Sequence, residues 1–310
     1  MLNKISELEK FIGNTKIIES LKIKERYNLK SNIYLKIEST NYSGSIKDRL
    51  VYYLIKDAIM KELINENTII AEATSGNTGI SIAAITNYIG IKCIIVMPEN
   101  TSIEKIKILK QYNATVILSS SDQGMEGSIN IVKNIKENNP NIFCLDQFNN
   151  PLGAYVHYKT TGPEIFKDLS DLDYFVCGVG TGTTFTGCSK YLKEHNPNIK
   201  CIAVEPLGSN VLNNGQAGNH LIEGIGAGFI PNILDINLID EIIDVDNEEA
   251  YKYTKELYDI ENLQCGISSG AALYAGIKLG KKYDNKKILI ILPDNGNRYI
   301  SKGVFTDEFI

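Results

Sequence analysis

Tryptophan is absent from the 310-residue chain, and histidine occurs only three times. His157, His195 and His220 show no ligand spacing with the cysteines, and no C-x-x-C pair occurs, so the sequence supports no zinc site. The six cysteines (Cys93, Cys144, Cys177, Cys188, Cys201 and Cys265) are scattered, several in strand-like runs such as Lys92-Cys93-Ile94-Ile95-Val96. That pattern reads as buried thiols in a reducing compartment rather than as disulfides. No apolar run approaches a membrane span, and the first ten residues lack the apolar core of a signal peptide, so a cytoplasmic protein is expected. The formal net charge is −5, and no dense Lys/Arg patch with interleaved aromatics appears, which argues against a nucleic-acid surface. Low-complexity linkers and internal repeats are missing as well.

What is present is ordinary in amount and ordered in pattern. Hydrophobic residues make up 43% and charged residues 22%, usual for a globular protein, and the length suits two α/β units. Strand patterns at 32–37, 68–73, 92–97, 115–119 and 141–145 alternate with helical ones at 50–60, 80–89, 102–112 and 126–137. A second series follows, with strands at 174–179, 200–204, 241–245 and 287–292 and helices to about 194, at 247–258 and at 271–282. Alternation of this kind predicts parallel sheets with right-handed crossovers. The Gly/Asn-rich stretch 206–228 reads as an irregular loop.

Four turns carry the chemistry. In Asn41-Tyr42-Ser43-Gly44-Ser45-Ile46-Lys47-Asp48-Arg49 one lysine sits in a small-residue turn between a strand and a helix. The positive end of a helix dipole disfavours the ammonium form there, and a neutral amine is what a Schiff base requires. Thr74-Ser75-Gly76-Asn77-Thr78-Gly79 sets hydroxyls, an amide and backbone N–H groups at a helix start, an anion nest suited to a carboxylate or phosphate. Gly178-Val179-Gly180-Thr181-Gly182-Thr183-Thr184 has the same design. Thr183 stands where a dinucleotide fingerprint needs its third glycine, and Cys188 stands where a P-loop needs lysine, so this turn suits a single phosphate. Cys265-Gly266-Ile267-Ser268-Ser269-Gly270 is a further strand-to-helix turn, which in isolation reads as a serine N-cap.

Together these turns resemble the cysteine synthase (O-acetylserine sulfhydrylase) and cystathionine β-synthase family of fold-type II pyridoxal-phosphate enzymes. The resemblance runs from Ile12-Gly13-Asn14-Thr15 to Pro293-Asp294-Asn295-Gly296-Asn297-Arg298-Tyr299, through His157-Tyr158-Lys159-Thr160-Thr161-Gly162-Pro163-Glu164 and Glu223-Gly224-Ile225-Gly226-Ala227-Gly228. It implies an α/β protein with two open parallel-sheet domains, tryptophan synthase β-like. The large cofactor-binding domain would comprise 1–45 and 151–310, and a small mobile substrate domain 46–150.

By that resemblance the cofactor is pyridoxal 5'-phosphate. Lys47 forms the Schiff base with it and acts as acid and base at Cα. Gly180, Thr181, Gly182, Thr183 and Thr184 cup the phosphate, Asn77 bonds the 3′ oxygen and Ser268 faces the pyridine nitrogen. Thr74, Ser75, Thr78 and Gln147 bind the substrate carboxylate, and Gly224, Ile225 and Gly226 line the mouth of the site. A neutral hydroxyl cannot hold a proton on the ring as a carboxylate would, which weakens the electron sink and favours elimination at Cβ over transamination. The expected reaction is β-replacement through an aminoacrylate, turning O-acetyl-L-serine and sulfide into L-cysteine and acetate.

Several positions depart from the family pattern: Tyr42 and Ser43 before the lysine, Lys16, Thr101, and Thr183 in the phosphate cup. Tyr42 and Thr101, the two near the pocket, leave a second sense of the same chemistry open, in which L-cysteine loses hydrogen sulfide and water or a thiol adds, giving L-serine or a thioether. Asn232 is then the candidate to orient the water, although an amide cannot act as its base. Serine or threonine deamination is a further alternative. From another class comes a non-catalytic subunit that binds serine acetyltransferase. The resemblance also implies a homodimer.

Overall fold

The computed structural model describes residues 1–306, and among these ten strands form two sheets. They are β1 (Ile17–Glu19), β2 (Asn32–Ile37), β3 (Ile69–Ala73), β4 (Lys92–Pro98) and β5 (Thr115–Ser119), followed by β6 (Ile142–Phe143), β7 (Tyr174–Gly178), β8 (Lys200–Pro206), β9 (Glu241–Val245) and β10 (Lys287–Leu292). The described residues divide into two compact units, residues 1–13 with 41–147, and residues 14–40 with 148–306. Residues 1–13 thus go with the smaller unit, and the larger takes up the chain again at 148.

The smaller unit holds a sheet in the order β5-β4-β3-β6, every pair parallel. Apolar β-branched runs such as Ile94-Ile95-Val96 suit a sheet covered on both faces. The helix Gly124–Asn138 lays Val132, Ile131 and Ile135 on Ala71, Val96 and Ile142, while Ile129, three residues before Val132, is exposed. The expected strand 141–145 is shorter than its apolar pattern, since only Ile142–Phe143 joins the ladder, at Ile69↔Ile142 and Ile70↔Phe143.

In the larger unit the order is β1-β2-β10-β7-β8-β9, parallel throughout except for β1, which runs antiparallel along β2. Ile33, Leu35, Val176, Ile202, Val204, Ile288, Ile290 and Leu292 form its core with Ala271, Ala272 and Ala275 of the helix Ile267–Lys282. Small residues on that helix let it lie close: a Cβ at Gly276 would stand 2.3 Å from Ile290 Cδ1. The α/β class is as expected. Two helices, Leu152–Lys159 and Thr161–Asp168, had no counterpart in the sequence pattern, and within 206–228 only Leu207–Ser209 and Val211–Asn214 are helical.

Candidate active site

Lys47 is the first residue of the helix Lys47–Met60 and is half-buried. The turn before it is tied from both ends. Gly44 takes a left-handed φ of +92° and its N–H donates to the Asn41 carbonyl at 2.9 Å. The Ser43 N–H donates to the buried Asp48 carboxylate at 2.6 Å, and the Ser43 hydroxyl bonds the other Asp48 oxygen. Asn41 Oδ1 accepts from the Gly13 N–H at 2.8 Å, which joins the early Ile12-Gly13 turn to the lysine turn. Tyr42 packs its ring between Phe11 and Tyr88.

The Thr74–Gly79 turn leads from β3 into the helix Asn77–Ile89. Thr74 donates its N–H to Val96 O at 2.9 Å, and its hydroxyl accepts from the Gly76 N–H at 3.3 Å. Gly79 has little room for a side chain, since a Cβ would stand 3.0 Å from Ile95 Cγ2. Thr78 Oγ1 donates to Gln147 Oε1 at 2.6 Å, with both residues buried. With that oxygen engaged, the Gln147 Nε2–H donors are left for an anion. Asn77 opens the helix, and Ser75 is half-buried beside it. Hydroxyls, an amide and the N–H groups of a helix start are together suited to a carboxylate.

In the larger unit the 178–184 turn leads from β7 to the helix Thr183–His195, with Gly182 as its cap at φ +81°. Thr181 and Thr183 share a hydroxyl contact of 3.0 Å. His157, buried, stands between Thr161 Oγ1 at 2.9 Å and Thr184 Oγ1 at 3.2 Å. The turn interlocks with the 224–228 loop: a Cβ on Gly180 would meet Gly224 O at 2.3 Å, and one on Gly178 would meet Ile225 Cγ2 at 2.7 Å. Gly224, Gly226 and Gly228 all have positive φ, and Gly226 donates to Val179 O at 2.9 Å. His220 accepts the Ile222 N–H at Nδ1, 3.2 Å, so its Nε2 carries the proton and donates to Gly226 O at 3.0 Å.

Ser268 is buried as the second residue of the helix Ile267–Lys282. It does not cap that helix. Gly266 holds the cap position because a side chain there would strike Asp294, whose Oδ1 would lie 2.1 Å from a Cβ. Ser268 Oγ instead lies 3.8 Å from the Cβ position of Gly224. Asn232 is exposed and donates to Asn149 Oδ1 at 3.2 Å.

Sequence reasoning missed His157 as a support of Thr184. Thr161 stands four residues on, at the start of the next helix, but Thr184 belongs to a third helix far along the chain. It also missed His220 and Glu72, the latter a buried carboxylate of β3 that accepts the Leu145 N–H at 3.1 Å.

Parallel sheets whose strands run through small-residue turns into helices, with a lysine opening a further helix, define an α/β protein with turns suited to anionic groups. The model of the family described as pyridoxal-phosphate dependent enzyme matches residues 8–294, and the chain belongs to that family. Within it the chain falls in the cysteine synthase group. Cysteine synthase B of Campylobacter jejuni is 45% identical over 303 residues, covering 97% of this chain and 98% of its own. The crystal structure of cysteine synthase from Entamoeba histolytica has a TM-score of 0.92 at 36% identity, over 98% of this chain and 91% of its own. A hydrogen sulfide-producing enzyme from Fusobacterium nucleatum has a TM-score of 0.90 at 38% identity, over 94% of this chain and 98% of its own. Pyridoxal phosphate is therefore the cofactor. The residues fit it, for the Gly180 cradle has space only for backbone and the turn supplies three threonine hydroxyls beside a helix start.

Proposed function

We propose that the chain performs β-replacement on an activated serine, taking O-acetyl-L-serine and sulfide to L-cysteine and acetate. The Thr78–Gln147 contact at 2.6 Å carries this reading, because it builds a carboxylate-binding turn in the unit that also holds Lys47. Thr74, Ser75, Thr78 and Gln147 bind the α-carboxylate and fix which bond at Cα is broken. With the coenzyme bound, the Lys47 amine would take the proton from Cα and later return it. In the larger unit Gly180, Thr181, Gly182, Thr183 and Thr184 would hold the coenzyme phosphate, with His157 steadying Thr184. Asn77 would hold the coenzyme's ring oxygen.

Pyridoxal phosphate, when bound, supplies a sink for the electron pair left at Cα. Ser268 offers that ring a neutral hydroxyl, which limits the sink and favours loss of acetate from Cβ. Sulfide then adds at Cβ. Gly224, Ile225 and Gly226 line the entrance.

The second reading, L-cysteine as first substrate with release of hydrogen sulfide, draws on the likeness to the Fusobacterium nucleatum enzyme. It is disfavoured for water as nucleophile, since the exposed Asn232 carries an amide that can orient water but not deprotonate it. The group to which the chain belongs supports a cytoplasmic homodimer, with serine acetyltransferase as a further partner.

Purified holoprotein given O-acetylserine and sulfide should form cysteine and acetate in equal amounts. Faster release of sulfide and serine from cysteine alone would replace this reading with the second.

A further inference from the structure

Glu72 lies in β3 two residues before Thr74, and it is buried. On one side β3 pairs with β4 along its whole length; on the other, pairing with β6 ends at Ile70↔Phe143. Where the ladder stops, the Glu72 side chain takes over. Its carboxylate accepts the Leu145 N–H at 3.1 Å, and the backbone N–H groups of Asp146 and Gln147 act on it to favour its charged form. Asp146 has a left-handed φ of +52°, a turn of the kind that brings successive N–H groups round to one side, as in an anion nest. The loop so held is the one that presents Gln147 to Thr78. Ile70, two residues earlier on the same face of β3, is fully buried, so an apolar residue at 72 would satisfy packing alone.

We infer that Glu72 is a positioning residue for the substrate carboxylate: it sets the 145–147 loop so that Gln147 and Thr78 meet the α-carboxylate together. This rests on the reading of Gln147 and Thr78 as carboxylate ligands. Burial pushes the Glu72 carboxyl up to about 7, against the opposing pull of the three N–H donors, and the neighbouring Asp146 charge adds to the rise. Cys144, whose thiol is pushed up chiefly by its own burial, is the other titratable group that feels Glu72. A proton on Glu72 turns one acceptor oxygen into a donor facing other donors, so the loop loosens as pH falls through neutrality.

The test compares Glu72→Gln, Gln147→Ala and the wild type, each as holoprotein checked by its coenzyme absorption. Glu72→Gln should raise KM for O-acetylserine about tenfold while leaving kcat within about twofold. It should also speed deuterium exchange in the peptide spanning 142–149 at one fixed pH. A second measurement does not depend on that variant folding. The KM ratio of Gln147→Ala to wild type, in which titration of the substrate amine cancels, should shrink as pH falls from about 8 to about 6. If Gln147→Ala itself leaves KM unchanged, the carboxylate reading fails. If Gln147→Ala raises KM but the ratio stays constant with pH, or Glu72→Gln matches the wild type in KM and exchange, the role of Glu72 fails.

Discussion

The hydroxyl of Thr78 donates to the side-chain oxygen of Gln147 at 2.6 Å across 69 residues of chain. Thr78 is the second residue of the helix after β3 and Gln147 lies in the loop after β6, so the pairing of these two strands brings them together. Thr78→Val keeps the shape and removes the donor. It should raise KM for O-acetylserine about tenfold or more, since a hydrogen bond to a charged group contributes roughly 1.5–3 kcal/mol, with coenzyme absorption retained. Steady-state kinetics at saturating sulfide measure this; an unchanged KM contradicts the assignment.

Gly180 needs no unusual φ, so its role is tested by bulk alone. A methyl group there would stand 2.3 Å from Gly224 O, and backbone cannot move aside as a flexible side chain does. Gly180→Ala should cost about 1–3 kcal/mol of stability and lower coenzyme content. Thermal melting with and without added pyridoxal phosphate reads both effects.

His157 bonds Thr161 and Thr184 but is assigned no contact with the coenzyme. Removing the ring should act on affinity through Thr184. His157→Ala is expected to weaken coenzyme binding about tenfold, measured by dialysis against dilute pyridoxal phosphate, and Thr184→Ala should reproduce most of the loss without adding to it in the double variant.

The raised carboxyl of Glu72 makes a signed prediction about stability. The folded chain keeps this proton up to about pH 7, whereas the ordinary carboxyl releases it at 4.5. Between those values the folded state binds more protons than the unfolded one. This contribution to stability is therefore complete below pH 4.5, falls as pH rises to 7, and is flat above. The difference in proton affinity corresponds to roughly 3 kcal/mol. Glu72→Gln lacks the titration, so its stability relative to wild type should rise by up to that amount between about pH 5 and pH 8 in urea unfolding. Keeping an ionised group there is a cost in stability at a site of function.

The parallel sheets were legible because apolar β-branched runs mark buried strands. The expected strands 115–119, 241–245 and 287–292 match Thr115–Ser119, Glu241–Val245 and Lys287–Leu292. The helices Leu152–Lys159 and Thr161–Asp168 were not. Gly153, Gly162 and Pro163 break the helical pattern in sequence, yet the glycines fit close approaches to Thr183 and Tyr191, and Pro163 falls in a first turn that needs no N–H. The strand at 141–145 was overdrawn for a related reason: beyond Phe143 the N–H groups turn to Glu72, a long-range side-chain partner that no local pattern records. Local turns announced the lysine and the anion nests. What supports them, His157, His220 and Glu72, became visible only in three dimensions.

The central claim is that the amine at position 47 holds the coenzyme. Borohydride reduction fixes pyridoxal phosphate irreversibly to the amine that carries it, and peptide mass mapping then locates the added mass. The account predicts the label on the peptide containing Lys47 and its loss, together with activity, in Lys47→Ala. Label on another lysine, or none on a holoprotein that still turns over substrate, would contradict it.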